Sequence, residues 1–149
     1  MWILVVGPEG LLEREDGAAA ALRELGCRVR TRNLWESFDD SEMHDDPPTV
    51  VLVEALDQVD AGRAALVRLR AARPLVEVPI LLCVSVGAVT RLDPGDGFDD
   101  FVLVPYVPVE LYMRIRRVEW RRSEFAGQER VKMGTLCIDL AAHEVGPGG

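Results

Sequence analysis

Three features of the sequence predict an α/β fold built on a doubly wound parallel sheet. Four short runs, Trp2–Val6, Val50–Val53, Ile80–Val84 and Phe101–Val104, are apolar with no polar alternation. Strands covered on both faces have that composition. Segments with helical spacing separate the runs, so the order is β then α, repeated. That order places successive strands parallel, with right-handed crossovers.

The elements follow in chain order. Trp2–Val6 is too short for a membrane span and has no basic flank, so it reads as a strand and not as a signal peptide. From Leu11 to Leu25, the residues Leu11, Leu12, Ala18, Ala19, Leu22 and Leu25 fall on a helical spacing, and Gly26 stops the helix. Arg28–Arg32 alternates charged and apolar residues and suits an edge strand, where charge discourages edge-to-edge pairing. The acidic stretch Glu36–Pro48 is a weak helix or a loop. A helix is expected over Arg63–Arg73, with a stripe of Ala65, Leu66, Leu69 and Ala72, ended by Pro74. Thr90–Gly97 is rich in turn residues, so the fourth helix should be short or loose. Val109–Arg122 forms the last helix, with Leu111, Ile115 and Val118 inward. Five strands and five helices in about 120 residues give the flavodoxin-like sheet, order 2-1-3-4-5, with helices on both faces. Residues 123–130 read as a linker, and Val131–Val145 as two short strands.

The 149 residues are 48% hydrophobic and 28% charged, with a net charge of −8. That balance supports a buried core and argues against a strong overall positive field for nucleic acid. Cys27, Cys83 and Cys137 are odd in number and widely spaced, which fits reduced packing cysteines and a cytoplasmic protein rather than a disulfide or zinc site. The acidic cluster Asp39, Asp40, Glu42, His44, Asp45 and Asp46 lacks the spacing of a defined metal geometry and reads as a solvated loop. His44 and His143 have no partner nucleophile, so no hydrolytic triad is expected, and no enzyme activity. Gly7-Pro8-Glu9-Gly10 is a poor phosphate loop, because Pro8 lacks a donor and Glu9 repels phosphate. No cofactor or metal is expected.

The block from Gly97 through Asp99, Asp100, Val104 and Pro105 to Glu110, Leu111, Arg114 and Ile115 resembles the last strand and helix of response-regulator receiver domains. Those read GADDY, two residues, lysine-proline, then an EL-x-x-RI helix. Pro48–Glu54 resembles their third strand, Gly62 follows at the usual distance, and Val78-Pro79 opens the fourth strand as in the family. The resemblance covers residues 1–122 as a receiver-like domain. Residues 131–149, including Met133, Gly134, Asp139 and His143, resemble the truncated start of a winged-helix output domain.

The departures from the family lie in its chemistry. Receivers bind Mg²⁺ with two acidic residues after the first strand, where Gly7 and Pro8 stand here, with only Glu9 adjacent. The phospho-acceptor position is Glu54. The hydroxyl position falls on Val84, or on Ser85 with a one-residue slip, and Val104 replaces the lysine. Phosphoryl transfer needs a metal and a placed carboxylate, so the resemblance implies a degenerate receiver that works without aspartyl phosphorylation. Glu54 is then either the relic of an unused site or a fixed negative charge that partly imitates a phosphoaspartate. The implied function is a regulatory and dimerisation module of a bacterial transcriptional response regulator. The alternative is a small-molecule-sensing or protein-interaction pseudo-receiver, with the lost charges opening an apolar cleft. In the winged-helix class, the fourth helix, fifth strand and fifth helix form a two-fold interface. Asp99, Asp100, Glu110, Arg114, Arg116 and Arg117 carry that resemblance, so a homodimer is expected there. DNA would be met only through an output domain that is missing here, and no membrane contact is expected.

Overall fold

The computed structural model describes residues 2–33 and 41–124, with the side chains of Ser41 and Glu42 left aside. The expected linker beyond Glu124 and the expected strands at 131–149 lie outside the described residues. The first compact unit of the chain ends at Val118.

Five parallel strands, β1 (Ile3–Gly7), β2 (Val29–Asn33), β3 (Val50–Leu56), β4 (Ile80–Ser85) and β5 (Asp100–Val104), form one sheet in the order β2-β1-β3-β4-β5. This is the order that the sequence predicts. The three central strands are buried along nearly their whole length, while β2 is half-exposed at the edge. The helices are α1 (Ala18–Glu24), α2 (Ser41–His44), α3 (Val59–Ala71) and a last helix over 108–124. Ser123 and Glu124, expected in the linker, are helical.

Alternation along the strands sorts the core into two layers. One holds Leu4, Val6, Val51, Val53, Leu82 and Val84 with Leu66 and Leu69 of α3. The other holds Ile3, Val5, Leu52, Leu81 and Cys83 with Leu22 of α1 and with Leu111, Ile115 and Val118. The stripes expected on the α3 and 108–124 helices are therefore the ones buried.

Two helices differ from expectation. The first was expected over Leu11–Leu25 but starts at Ala18. Residues 8–17 instead make successive turns, with backbone bonds from Leu11 to Pro8, Arg14 to Leu11 and Gly17 to Arg14. Gly10 has φ +86, a value that L side chains rarely adopt and that a helix excludes. Helix α3 begins four residues before Arg63 and gives way to a 3-10 turn at Arg73–Leu75, where Pro74 cannot donate.

Between β4 and β5, 3-10 turns at Val86–Arg91 and Pro94–Asp96 stand in place of a fourth α-helix. Arginines tie this segment down. Arg63 bonds the Asp96 carboxylate at 2.9 Å and the carbonyl of Arg91, while Arg91 bonds the carbonyl of Asp57 at 2.8 Å. Arg70 reaches the carbonyls of Val78 at 2.8 Å and Gly97 at 3.2 Å, and pairs with Asp99 at 2.7 Å.

Gly62 lets α3 lie close against the sheet at Ala55. A Cβ there would lie 2.6 Å from the Cβ of Ala55. Gly62→Ala should therefore destabilise the fold by about 1–3 kcal/mol through overpacking, despite the better helix propensity of alanine. Urea unfolding followed by circular dichroism measures it, and an unchanged midpoint would remove the claim.

Candidate functional site

Glu54 stands on β3 at the carboxyl end of the sheet and is wholly buried. A carboxylate taken out of water needs donors of its own. Three meet its Oε2. The Arg14 Nη2 donates at 2.7 Å, the Tyr106 hydroxyl at 2.6 Å and the Ala18 backbone N–H at 3.4 Å. Arg14 Nη1 also reaches Oε1 at 3.4 Å and the carbonyl of Leu11 at 2.5 Å, and its Nε pairs with Asp16 at 3.2 Å. Each donor comes from a different part of the chain: the turns after β1, the first residue of α1, and the segment after β5.

The sequence around the site makes room for this arrangement. Gly7, the last residue of β1, has no side chain, and a Cβ there would lie 2.9 Å from Leu12 Cδ2 and 3.2 Å from Glu54 Cβ. Leu12 and the Glu54 side chain occupy the space that a larger residue would need. Burial disfavours the Arg14 cation, but the adjacent Glu54 carboxylate outweighs it and raises the arginine pKa. Burial also raises the Tyr106 pKa, reinforced by Cys83 and Glu54, so the hydroxyl stays protonated and remains a donor.

The expected site residues fall in different places. Pro8 is buried, while Glu9 is exposed and accepts from Asn33 Nδ2 at 3.3 Å, on the side of β2. Neither Val84 nor Ser85 is the cross-strand partner of Glu54. That residue is Cys83, which pairs with Glu54 in register and so shares its face of the sheet. Val84 points to the opposite layer, toward α3, and Ser85 is half-buried at the strand end. Val104 is half-buried and packs in the layer of Cys83 and Leu111. Beside Gly7 and Glu54, where the lost charges are expected to leave an apolar cleft, stand Leu12, Arg14 and Tyr106.

Divalent-cation binding of the receiver type does not fit these residues. Gly7 and Pro8 carry no side-chain oxygen, Glu9 is turned to Asn33, and Glu54 already holds a cation in Arg14. Among the described residues, no group of three or more His, Cys, Asp or Glu could hold a metal ion.

On the expected interface, the charges meet within one chain. Arg114 pairs with Asp100 at 3.2 Å and Glu110 at 3.1 Å. Asp99 pairs with Arg70 at 2.7 Å and accepts the Ile80 N–H at 2.8 Å. Arg116 donates to the Tyr112 hydroxyl at 3.0 Å, and Arg117 is exposed. Within the chain, the carboxylate partners of Arg114 are thus its own neighbours.

Known structures share this architecture. NtrX from Brucella abortus superposes with a TM-score of 0.63 at 19% identity, over 88% of this chain and 30% of that one. The chemotaxis protein CheY4 of Vibrio cholerae gives a TM-score of 0.59 at 17% identity, over 79% of this chain and 98% of that one. The fold is that of a response-regulator receiver domain. A weak sequence relationship accompanies the receiver fold. The phosphate regulon transcriptional regulatory protein PhoB of Escherichia coli is 25% identical over 138 residues, which cover 87% of this chain and 60% of that protein. This chain thus spans about 60% of the length of that curated relative. No family model matches the sequence. Among the described residues, no helix is long and apolar enough to cross a membrane.

Sequence reasoning missed Arg14, Tyr106 and Cys83. One signal was present: a glutamate at the end of an all-apolar strand requires a donor somewhere, and a cation most of all. Which of the 17 basic residues supplies it is not encoded in spacing, since Arg14 lies 40 residues away.

Burial pushes the Cys83 thiol up to about 12 from 9.0. The folded pKa lies above the unfolded one, so this group's contribution is fully present below pH 9 and is lost as the pH rises toward 12. Cys83 should therefore resist alkylation at pH 8 in the folded protein and react once denaturant is added, while half-buried Cys27 reacts sooner. Peptide mapping after iodoacetamide checks the order, and labelling of Cys83 at the rate of Cys27 would contradict it.

Proposed function

We propose that this chain is a regulatory module with a receiver fold that works without aspartyl phosphorylation, within a cytoplasmic transcription regulator. The closed network at Glu54 supports this most. An in-line phosphoryl acceptor must be reachable and must share its charge with a metal. Glu54 is buried, and its charge is matched by Arg14 at 2.7 Å. The relationship to a transcriptional regulatory protein supports the transcriptional setting. The likeness of residues 131–149 to the opening strands of a winged-helix domain supports DNA contact through an output domain.

The test is intact mass after incubation with Mg²⁺ and a small acyl phosphate. The expected spectrum is that of the unmodified chain. A stoichiometric phosphate adduct in the pocket would overturn the proposal.

The module's partner in this reading is a second copy of itself. The contact would use the segment before β5, β5 and the helix over 108–124. Leu103, Val107, Val109 and Met113 are exposed on β5 and at the start of that helix. Because the ion pairs of Arg114 close within the chain, apolar contact must supply most of the affinity, and each exposed pair adds only about 0–1 kcal/mol. Sedimentation should show a modest dimer that weakens in high salt and with Arg114→Glu, which reverses the charge beside Asp100 and Glu110. A wild-type monomer at high concentration would sink the dimer.

A further inference from the structure

We propose that the Glu54 pocket is a guanidinium-binding site that the chain fills with its own Arg14. This deepens the phosphorylation-independent reading, on which it rests, by naming what the pocket recognises. The pocket is a built one. Its carboxylate is wholly buried, and its second oxygen is shared among a guanidinium N–H, the Tyr106 hydroxyl and the Ala18 amide. No buried side-chain N or O among the described residues lacks a partner. The guanidinium meets the two carboxylate oxygens with two separate nitrogens, at 2.7 Å and 3.4 Å, a fork that a single-nitrogen ammonium does not have.

The rest of the strap between β1 and α1 behaves as a tether for that group. Of its apolar residues, Pro8 is buried at the end of β1 and Leu12 packs partly against the neighbouring layer, while Leu11 is exposed. The remaining ties are polar and mostly exposed: Glu13 to Arg23 at 2.5 Å and to Thr31 at 3.1 Å, and Glu9 to Asn33 at 3.3 Å. A segment with few buried apolar contacts opens at lower cost than the core. When it opens, it uncovers a carboxylate flanked by Tyr106 and Cys83, a site for a guanidinium presented by another molecule. The tether gives Arg14 an effective concentration in the range of roughly millimolar, so an untethered guanidinium competes poorly with the intact chain.

Chemical rescue tests this. In the full chain, Arg14→Ala leaves a buried carboxylate without its cation and should lower Tm by on the order of 10 °C. Methylguanidinium at about 1 mM, no higher than the tether's effective concentration, should restore several degrees to this variant, which has no Arg14 to displace, and leave the wild type unchanged. Methylammonium and Mg²⁺ should restore little. Arg14→Ala combined with Glu54→Gln should lose the response to methylguanidinium. If Arg14→Ala does not fold, refolding yield with and without methylguanidinium gives the same comparison. Arg14→Lys keeps a cation and should fold, with faster hydrogen exchange over residues 11–18.

An unchanged Tm for Arg14→Ala, rescue by Mg²⁺ in preference to methylguanidinium, or unaltered exchange in Arg14→Lys would each overturn the proposal. A phosphate adduct on the wild type would instead count against the phosphorylation-independent reading, so the two failures are separable.

Discussion

A carboxylate buried at the end of an apolar strand must be given donors in the folded state, because no water is there to supply them. Much of the carboxyl end of this sheet is arranged around that requirement at Glu54. The strap after β1 leaves helical geometry to bring Arg14 down. Helix α1 starts late, with the N–H of its first residue aimed at the same oxygen. The chain after β5 turns Tyr106 inward to donate its hydroxyl. Removing one partner of such a pair strands the other and typically costs about 3–5 kcal/mol, a large share of the stability of a small domain.

The same logic, at lower stakes, holds the far side of the sheet end. The segment between β4 and β5 has only 3-10 turns, with Ala88 buried and Val89, Leu92 and Phe98 packed against the core. Arg63, Arg70 and Arg91 fasten it by bonding carboxylates and backbone carbonyls across from α3 and the β3 end. Exposed pairs of this kind add little to global stability. Their effect is positional, since backbone carbonyls that would otherwise face solvent are fixed to particular side chains.

These two arrangements determine what stands at the carboxyl end of the sheet in this receiver fold. In such a fold, ligand chemistry belongs at the carboxyl ends of the strands. In this chain that region is filled by its own side chains, with charge balanced internally. Arg14 provides the positive charge covalently, and Leu12 takes the space beside Gly7. A site of that kind is suited to holding one conformation and to exchanging like for like.

The sheet was legible in the sequence because burial on both faces leaves a direct trace, an unbroken run of Val, Ile and Leu, and because the β-α order restricts the topology. The edge character of β2 was legible from its alternating arginines, and the weakness of the segment before β5 from its turn residues. Glu54 as the centre of the site was legible from one charged residue ending an apolar strand. What surrounds it was not. The apolar spacing from Leu11 to Leu25 describes a helix equally well whether or not the chain forms one, and local pattern carries no term for a carboxylate 40 residues away that needs Arg14. Cross-strand register, which sets Cys83 and not Val84 or Ser85 beside Glu54, is likewise fixed only when β3 and β4 pair. Local periodicity determined the elements, and long-range electrostatics in the folded state decided where the first helix begins and which arginine pairs with Glu54.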